Sequence, residues 1–64
     1  MLANFSTLGA ARYAAEIQSG KFRVSPVYVY MDSLLDCYAV SMMRPAYPIY
    51  IYQNKICIYD GRGI

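Results

Sequence analysis

The chain has 64 residues, of which 58% are hydrophobic and 16% charged, with a net charge of +2 and no histidine. That balance excludes a disordered chain, which shows the reverse. The basic residues (Arg12, Lys21, Arg23, Arg44, Lys55 and Arg62) form no run, which argues against the clustered stripe of a nucleic-acid-binding domain.

Residues 1–64 are expected to form one small domain near the lower limit of independent folding. Its apolar content exceeds what so small a core can hide, and an exposed apolar patch usually marks a partner. Met1–Ala15 lacks a basic segment followed by a continuous apolar run, so it does not read as a signal peptide. No stretch approaches the ~20 apolar residues of a membrane helix. The expectation is a cytoplasmic protein with no membrane contact.

Residues 6–19 are predicted to be a helix, capped by Ser6 or Thr7 and stopped at Gly20. Ala10, Tyr13, Ala14 and Ile17 follow the i, i+3, i+4, i+7 rule and define its apolar stripe. Arg12 and Glu16 are four apart on another face and suited to pair in solvent. Phe22–Met31 reads as a strand interrupted at Ser25-Pro26, which marks an edge, a bulge or the true strand start. Beyond it Val27, Val29 and Met31 share one face, Tyr28 and Tyr30 the other.

Residues 33–43 read as a second helix, with Ser33 and Asp36 resembling a capping box and Pro45 preventing continuation. The rival reading is a tight turn at Asp32–Asp36 followed by a strand at Cys37–Met43. Residues 48–60 form a hairpin with a two-residue loop at Gln53-Asn54 or Asn54-Lys55. Either loop puts Ile49, Ile51, Ile56 and Ile58 on one face and Tyr50, Tyr52, Cys57 and Tyr59 on the other. The isoleucine face is expected to be core, with Ile51 and Ile58 turned to the helices. Asp60–Ile64 is a turn or tail.

The predicted fold class is therefore α+β, an α-β-α-β-β domain with a three-stranded sheet, a C-terminal hairpin and helices on one face. In size and element order this resembles many short early-gene proteins of bacteriophages, which bind and block host machinery. The resemblance carries no motif and transfers no residue. What it implies is a phage-encoded host-takeover or anti-defence role.

Catalytic chemistry has little to draw on. There is no histidine for a triad or general base, and Cys37 and Cys57 have no visible activating partner. Two cysteines without a CxxC pair or a histidine do not make a zinc site; both are expected to be free thiols. Asp32 and Asp36 read as capping residues rather than a carboxylate pair. Asp60-Gly61-Arg62-Gly63 lacks the glycines and following helix of a phosphate loop. No enzyme activity, metal or cofactor is expected.

The sequence points to a protein-binding module, an inhibitor or adaptor that occupies a surface of a larger protein. Tyr28, Tyr30, Tyr50, Tyr52 and Tyr59 are its candidate anchors on one sheet face, with Arg23 and Lys55 at the rim. Single-stranded nucleic-acid binding by the same tyrosine face is an alternative, although the Lys/Arg-Gly-Phe type motif of RNA-recognition sheets is absent. A small structural subunit or homo-oligomer is a third.

Overall fold

The computed structural model describes residues 3–62. It is a small α+β domain: β1 (Ala3–Phe5), α1 (Leu8–Lys21), β2 (Val27–Asp32), β3 (Cys37–Ser41), β4 (Tyr50–Gln53) and β5 (Ile56–Asp60). The strands make one sheet in the order β1-β3-β2-β4-β5, and every neighbouring pair is antiparallel. The expected three-stranded sheet is thus a five-stranded one. The element order β-α-β-β-β-β also replaces the one on which the resemblance to phage early proteins rested, leaving only size in common.

The helix begins as its capping chemistry requires. Thr7 has extended backbone angles and its side chain accepts a hydrogen bond from Ala10 N–H at 3.2 Å. It runs through Gly20 to Lys21, and the Phe22 N–H closes it on the Gln18 carbonyl. The expected stripe is wrong, however. Tyr13 is 68% exposed and Ile17 40%, while Ala11, Ala15 and Ser19 are buried. These three small residues recur every fourth position and let α1 sit close to a sheet whose facing side chains are large. Volume is conserved across the interface: bulk on the sheet is met by smallness on the helix.

The segment read as a second helix is the turn and strand of the rival reading. Asp32 pairs with Cys37, which leaves Ser33–Asp36 as the loop of a β2–β3 hairpin. The Asp32 carboxylate accepts from the backbone N–H groups of Leu34 and Leu35, and Asp36 has φ 52°. Local hydrogen bonding of this kind offers the backbone a turn in place of a helix. β3 lies between β1 and β2, with Ala39, Val40 and Ser41 all buried. A strand covered on both faces shows no alternation, so its periodicity does not separate it from a helix.

Pro26 marks the true start of β2. The last hairpin closes through Asn54-Lys55, with φ 52° and 69°. This is the two-residue loop with left-handed backbone that matches strand twist. Gln53 pairs with Ile56 and Tyr52 with Cys57, but the register then shifts so that Ile51 faces Tyr59 and Tyr50 faces Asp60. Ile58 is the extra residue of this bulge.

Two connections cross the sheet. β1 and β2 are parallel to one another and flank β3, and α1 joins them. β3 and β4 are likewise parallel and flank β2, and residues 42–49 join them. Both connections move the same way across the sheet, yet β1 and β3 run in opposite directions. If both connections obey the right-handed rule, they must lie on opposite faces. The contacts agree. Ala11 and Ala15 of α1 pack with Val27, Val29, Val40, Tyr50 and Tyr52, whereas the Arg44 guanidinium lies over the Tyr28 ring, on the other face. The crossover is not confined to that face: Met42 and Ile49 near its ends pack against the helix-side core, while its middle, around Arg44 and Tyr47, partly covers the far face of the sheet. No helix of the described residues is long and apolar enough to cross a membrane.

Candidate functional site

The β2–β4 register decides what becomes of the tyrosines. Val27 pairs with Tyr52 and Val29 with Tyr50, so these four side chains share the helix face. Tyr28 pairs with Ile51, so these two share the opposite face. The expected isoleucine core is therefore overturned in part: Ile51 is buried as expected, but on the face opposite the helix. Tyr50 and Tyr52 are core, while Ile56 and Ile58 are 62% and 56% exposed. A tyrosine brings a large apolar area into so small a core, at the cost of needing a partner for its hydroxyl. Arg12 supplies one: its Nε donates to the Tyr52 hydroxyl at 2.9 Å, and its guanidinium lies 4.2 Å from the centre of the Tyr50 ring. The hydrogen bond to Tyr52 is the main cause holding the Arg12 pKa above its ordinary value. Arg12 thus reaches the sheet rather than serving only as the solvent-side partner expected for Glu16.

The seven candidate residues do not form one surface. Tyr50 and Tyr52 are buried beneath α1. Tyr28 is on the opposite face but is buried beneath Arg44, and Tyr30 is half-buried on that same face beside Ala39. Tyr59 is brought to this face by the bulge and remains 47% exposed. Arg23 is exposed in the loop between α1 and β2. Lys55 belongs to the hairpin turn: its backbone N–H donates to Ser19 Oγ at 2.9 Å and its stem runs along Gly20. Neither cation is at the rim of a tyrosine platform.

What the face opposite α1 does carry is a groove of about 500 Å³ between the crossover and the β4–β5 hairpin. Ile51 and Tyr59 line it from the sheet, Arg44 and Tyr47 from the crossover, and Arg62 from the chain beyond β5. Ile51 is buried, whereas Tyr47 is 89% exposed. Gly61 closes one end. Its N–H donates to the Ile49 carbonyl, and a methyl group there would come within 3.1 Å of that oxygen and 3.2 Å of the Tyr59 ring. The backbone after β5 is therefore drawn against the crossover as only glycine allows without displacement.

Sequence reasoning passed over Arg44, Tyr47, Ile51 and Arg62 as site residues. The available signal was the Pro45 and Pro48 bracket around Tyr47, which marks an ordered non-helical connection. Cys37 and Cys57 are both free and half-buried. Among the described residues, no group of three or more His, Cys, Asp or Glu side chains is arranged to hold a metal ion. In comparisons with known proteins, the chain matches no family model and is significantly similar to no curated protein or solved structure.

Proposed function

We propose that this protein is a non-enzymatic binding module that acts by occupying a surface of a larger protein, as an inhibitor or adaptor. The contact surface is the groove opposite α1 rather than the full set of sheet tyrosines. The observation that carries this reading is the pairing of a buried apolar wall, Ile51, with two exposed tyrosines, Tyr47 and Tyr59, in one concave site. Exposed aromatics beside a desolvated apolar surface are the usual anchors of protein interfaces.

A second reading, single-stranded nucleic-acid binding, draws support from the two arginines in the same groove. Stacking of bases on Tyr47 and Tyr59 with phosphates on Arg44 and Arg62 fits the general chemistry of such sites. Against it, a strand-tracking groove needs a longer row of cations than two.

The test is affinity capture from the native host by the wild-type protein and by a Tyr47→Ala, Tyr59→Ala double variant, followed by titration of the captured partner. Loss of an anchor is expected to cost at least ~2 kcal/mol of binding, with circular dichroism unchanged. Equal binding by both proteins would rule the groove out as the contact. A protein interface should also lose little affinity with added salt, whereas phosphate contacts lose it steeply.

A further inference from the structure

We propose that the groove accepts a peptide segment carrying a carboxylate next to an apolar or aromatic residue, a proposal that rests on the protein-docking reading above. Both ionised side chains lining the groove are arginines, Arg44 and Arg62, and no Asp or Glu of the described residues lines it. Asp60 is the nearest acid in the chain, and its carboxylate already accepts the Arg62 backbone N–H at 3.0 Å. The lining of the groove thus carries two positive charges and no negative one, with Asp60 beside it, in a molecule whose net charge is only +2.

Geometry narrows the ligand further. The Arg44 guanidinium lies 5.6 Å from the centre of the Tyr28 ring, a contact that favours its position on this face. A guanidinium presents a planar fork of donors that matches a carboxylate. Beside the arginines, Ile51, Pro48 and Tyr59 offer apolar contact. A volume of about 500 Å³ suits a few side chains and not an extended strand of many nucleotides. One carboxylate with one apolar neighbour uses each of these features.

The experiment is selection from a random heptapeptide display library on the immobilised wild-type protein, with Arg44→Gln, Arg62→Gln and the Tyr47→Ala, Tyr59→Ala double variant run in parallel. All four are checked for folding by circular dichroism. The expected result is enrichment of Asp or Glu beside an aromatic or aliphatic residue. The best peptide, made synthetically, should bind about tenfold more weakly to each arginine variant, and should shift the amide signals of the 44–51 and 59–62 segments. Arg62 is exposed and outside every strand, so Arg62→Gln remains informative if Arg44→Gln disturbs the packing on Tyr28. Selected peptides without acids, or affinity unchanged in both arginine variants, would overturn the proposal while leaving groove docking intact. Absence of any enrichment over the tyrosine double variant would remove the docking reading itself. Tighter binding of an oligothymidylate of about 15 nucleotides than of any selected peptide would overturn the proposal in favour of nucleic acid.

Discussion

Arg12 and Tyr52 join the helix to the sheet: Arg12 Nε donates to the Tyr52 hydroxyl at 2.9 Å across 40 positions of sequence. The bond lets a phenol be used as core, because the ring packs on Ala11 and Ala15 while its hydroxyl reaches a cation at the helix border. Ring and hydroxyl make separable contributions. Tyr52→Phe keeps the ring and is expected to cost about 0.5–1.5 kcal/mol. Tyr52→Ala empties the site and is expected to cost about 3–5 kcal/mol. Urea melts of the two variants decide it; equal losses would mean that the ring contributes nothing by packing.

A second link pins the helix end to the hairpin turn. The hydroxyl of Ser19, itself fully buried, donates to the Glu16 carbonyl at 2.8 Å and accepts the Lys55 backbone N–H at 2.9 Å. Ser19→Ala leaves that N–H without its partner, at an expected cost of about 1–3 kcal/mol. Gly20→Ala tests the same contact from the helix side. The added methyl would lie 2.7 Å from Lys55 Cε and 2.8 Å from Lys55 Cγ, and Cγ is next to a backbone that Ser19 already holds. That crowding is expected to outweigh the helix propensity gained at the penultimate position of α1. Both variants should therefore melt at lower urea than the wild type; a raised midpoint for Gly20→Ala would show that the Lys55 stem moves freely.

The elements that could be read from the chain are those whose signals are local. A cap at Ser6 or Thr7, a break at Pro26 and a two-residue turn at Gln53-Asn54 or Asn54-Lys55 each follow from the chemistry of one or two residues; the structure selects Thr7, a strand start after Pro26, and Asn54-Lys55. Elements set by their neighbours could not be read this way. β1 has three residues and owes its existence to pairing with β3. β3 owes its strand to being covered on both sides, which erased the alternation that would have separated it from a helix. The hairpin parity was legible up to the bulge, but nothing in the alternation says which face meets a helix. That choice came from the β2 register, Val27 to Tyr52 and Val29 to Tyr50, and from a helix whose buried face is made of alanine and serine. The groove was hidden for the same reason. It depends on the course of the 42–49 crossover over the far face, which follows from the strand order and not from any local pattern of residues.

The turn itself offers a stabilising change. Lys55 has φ 69°, a left-handed conformation that costs a side-chain-bearing residue and costs glycine little. Lys55→Gly produces the Asn-Gly pair preferred in this turn. An increase of about 0.5–1 kcal/mol in unfolding free energy is expected, read from the shift in urea midpoint. A decrease would show that the Lys55 stem along Gly20 contributes more than the turn strain.

The two cysteines cannot bridge one another in this fold. Cys37 pairs with Asp32 and shares the face of Tyr28 and Tyr30, whereas Cys57 pairs with Tyr52 on the helix face. Their strands are also separated by β2 and β4, which is about 14 Å at the usual strand spacing, well beyond disulfide reach. Quantitative thiol labelling of the denatured protein without reductant is expected to find two free thiols in the monomer. A Cys37→Ser, Cys57→Ser variant should keep its partner binding. No labelled thiol in a monomer would mean a Cys37–Cys57 bridge and would contradict the sheet order.

The sharpest test of the architecture compares two isoleucines of one hairpin. Strict alternation makes Ile51 and Ile58 equivalent, both on the same face and both core. The bulge and the crossover separate them. Ile51 is 7% exposed, paired with Tyr28 on one side and Tyr59 on the other beside the 42–49 segment. Ile58 is the unpaired residue of the edge-strand bulge and is 56% exposed. Ile51→Ala is expected to cost about 2–5 kcal/mol, as a buried large-to-small change. Ile58→Ala removes surface that water already reaches, and a cost below about 1 kcal/mol is expected. Guanidinium melts of the two variants, with slopes compared to confirm the same unfolding reaction, give the answer directly. Equal large losses would restore the regular hairpin with an isoleucine core and would remove both the bulge and the groove that depends on it.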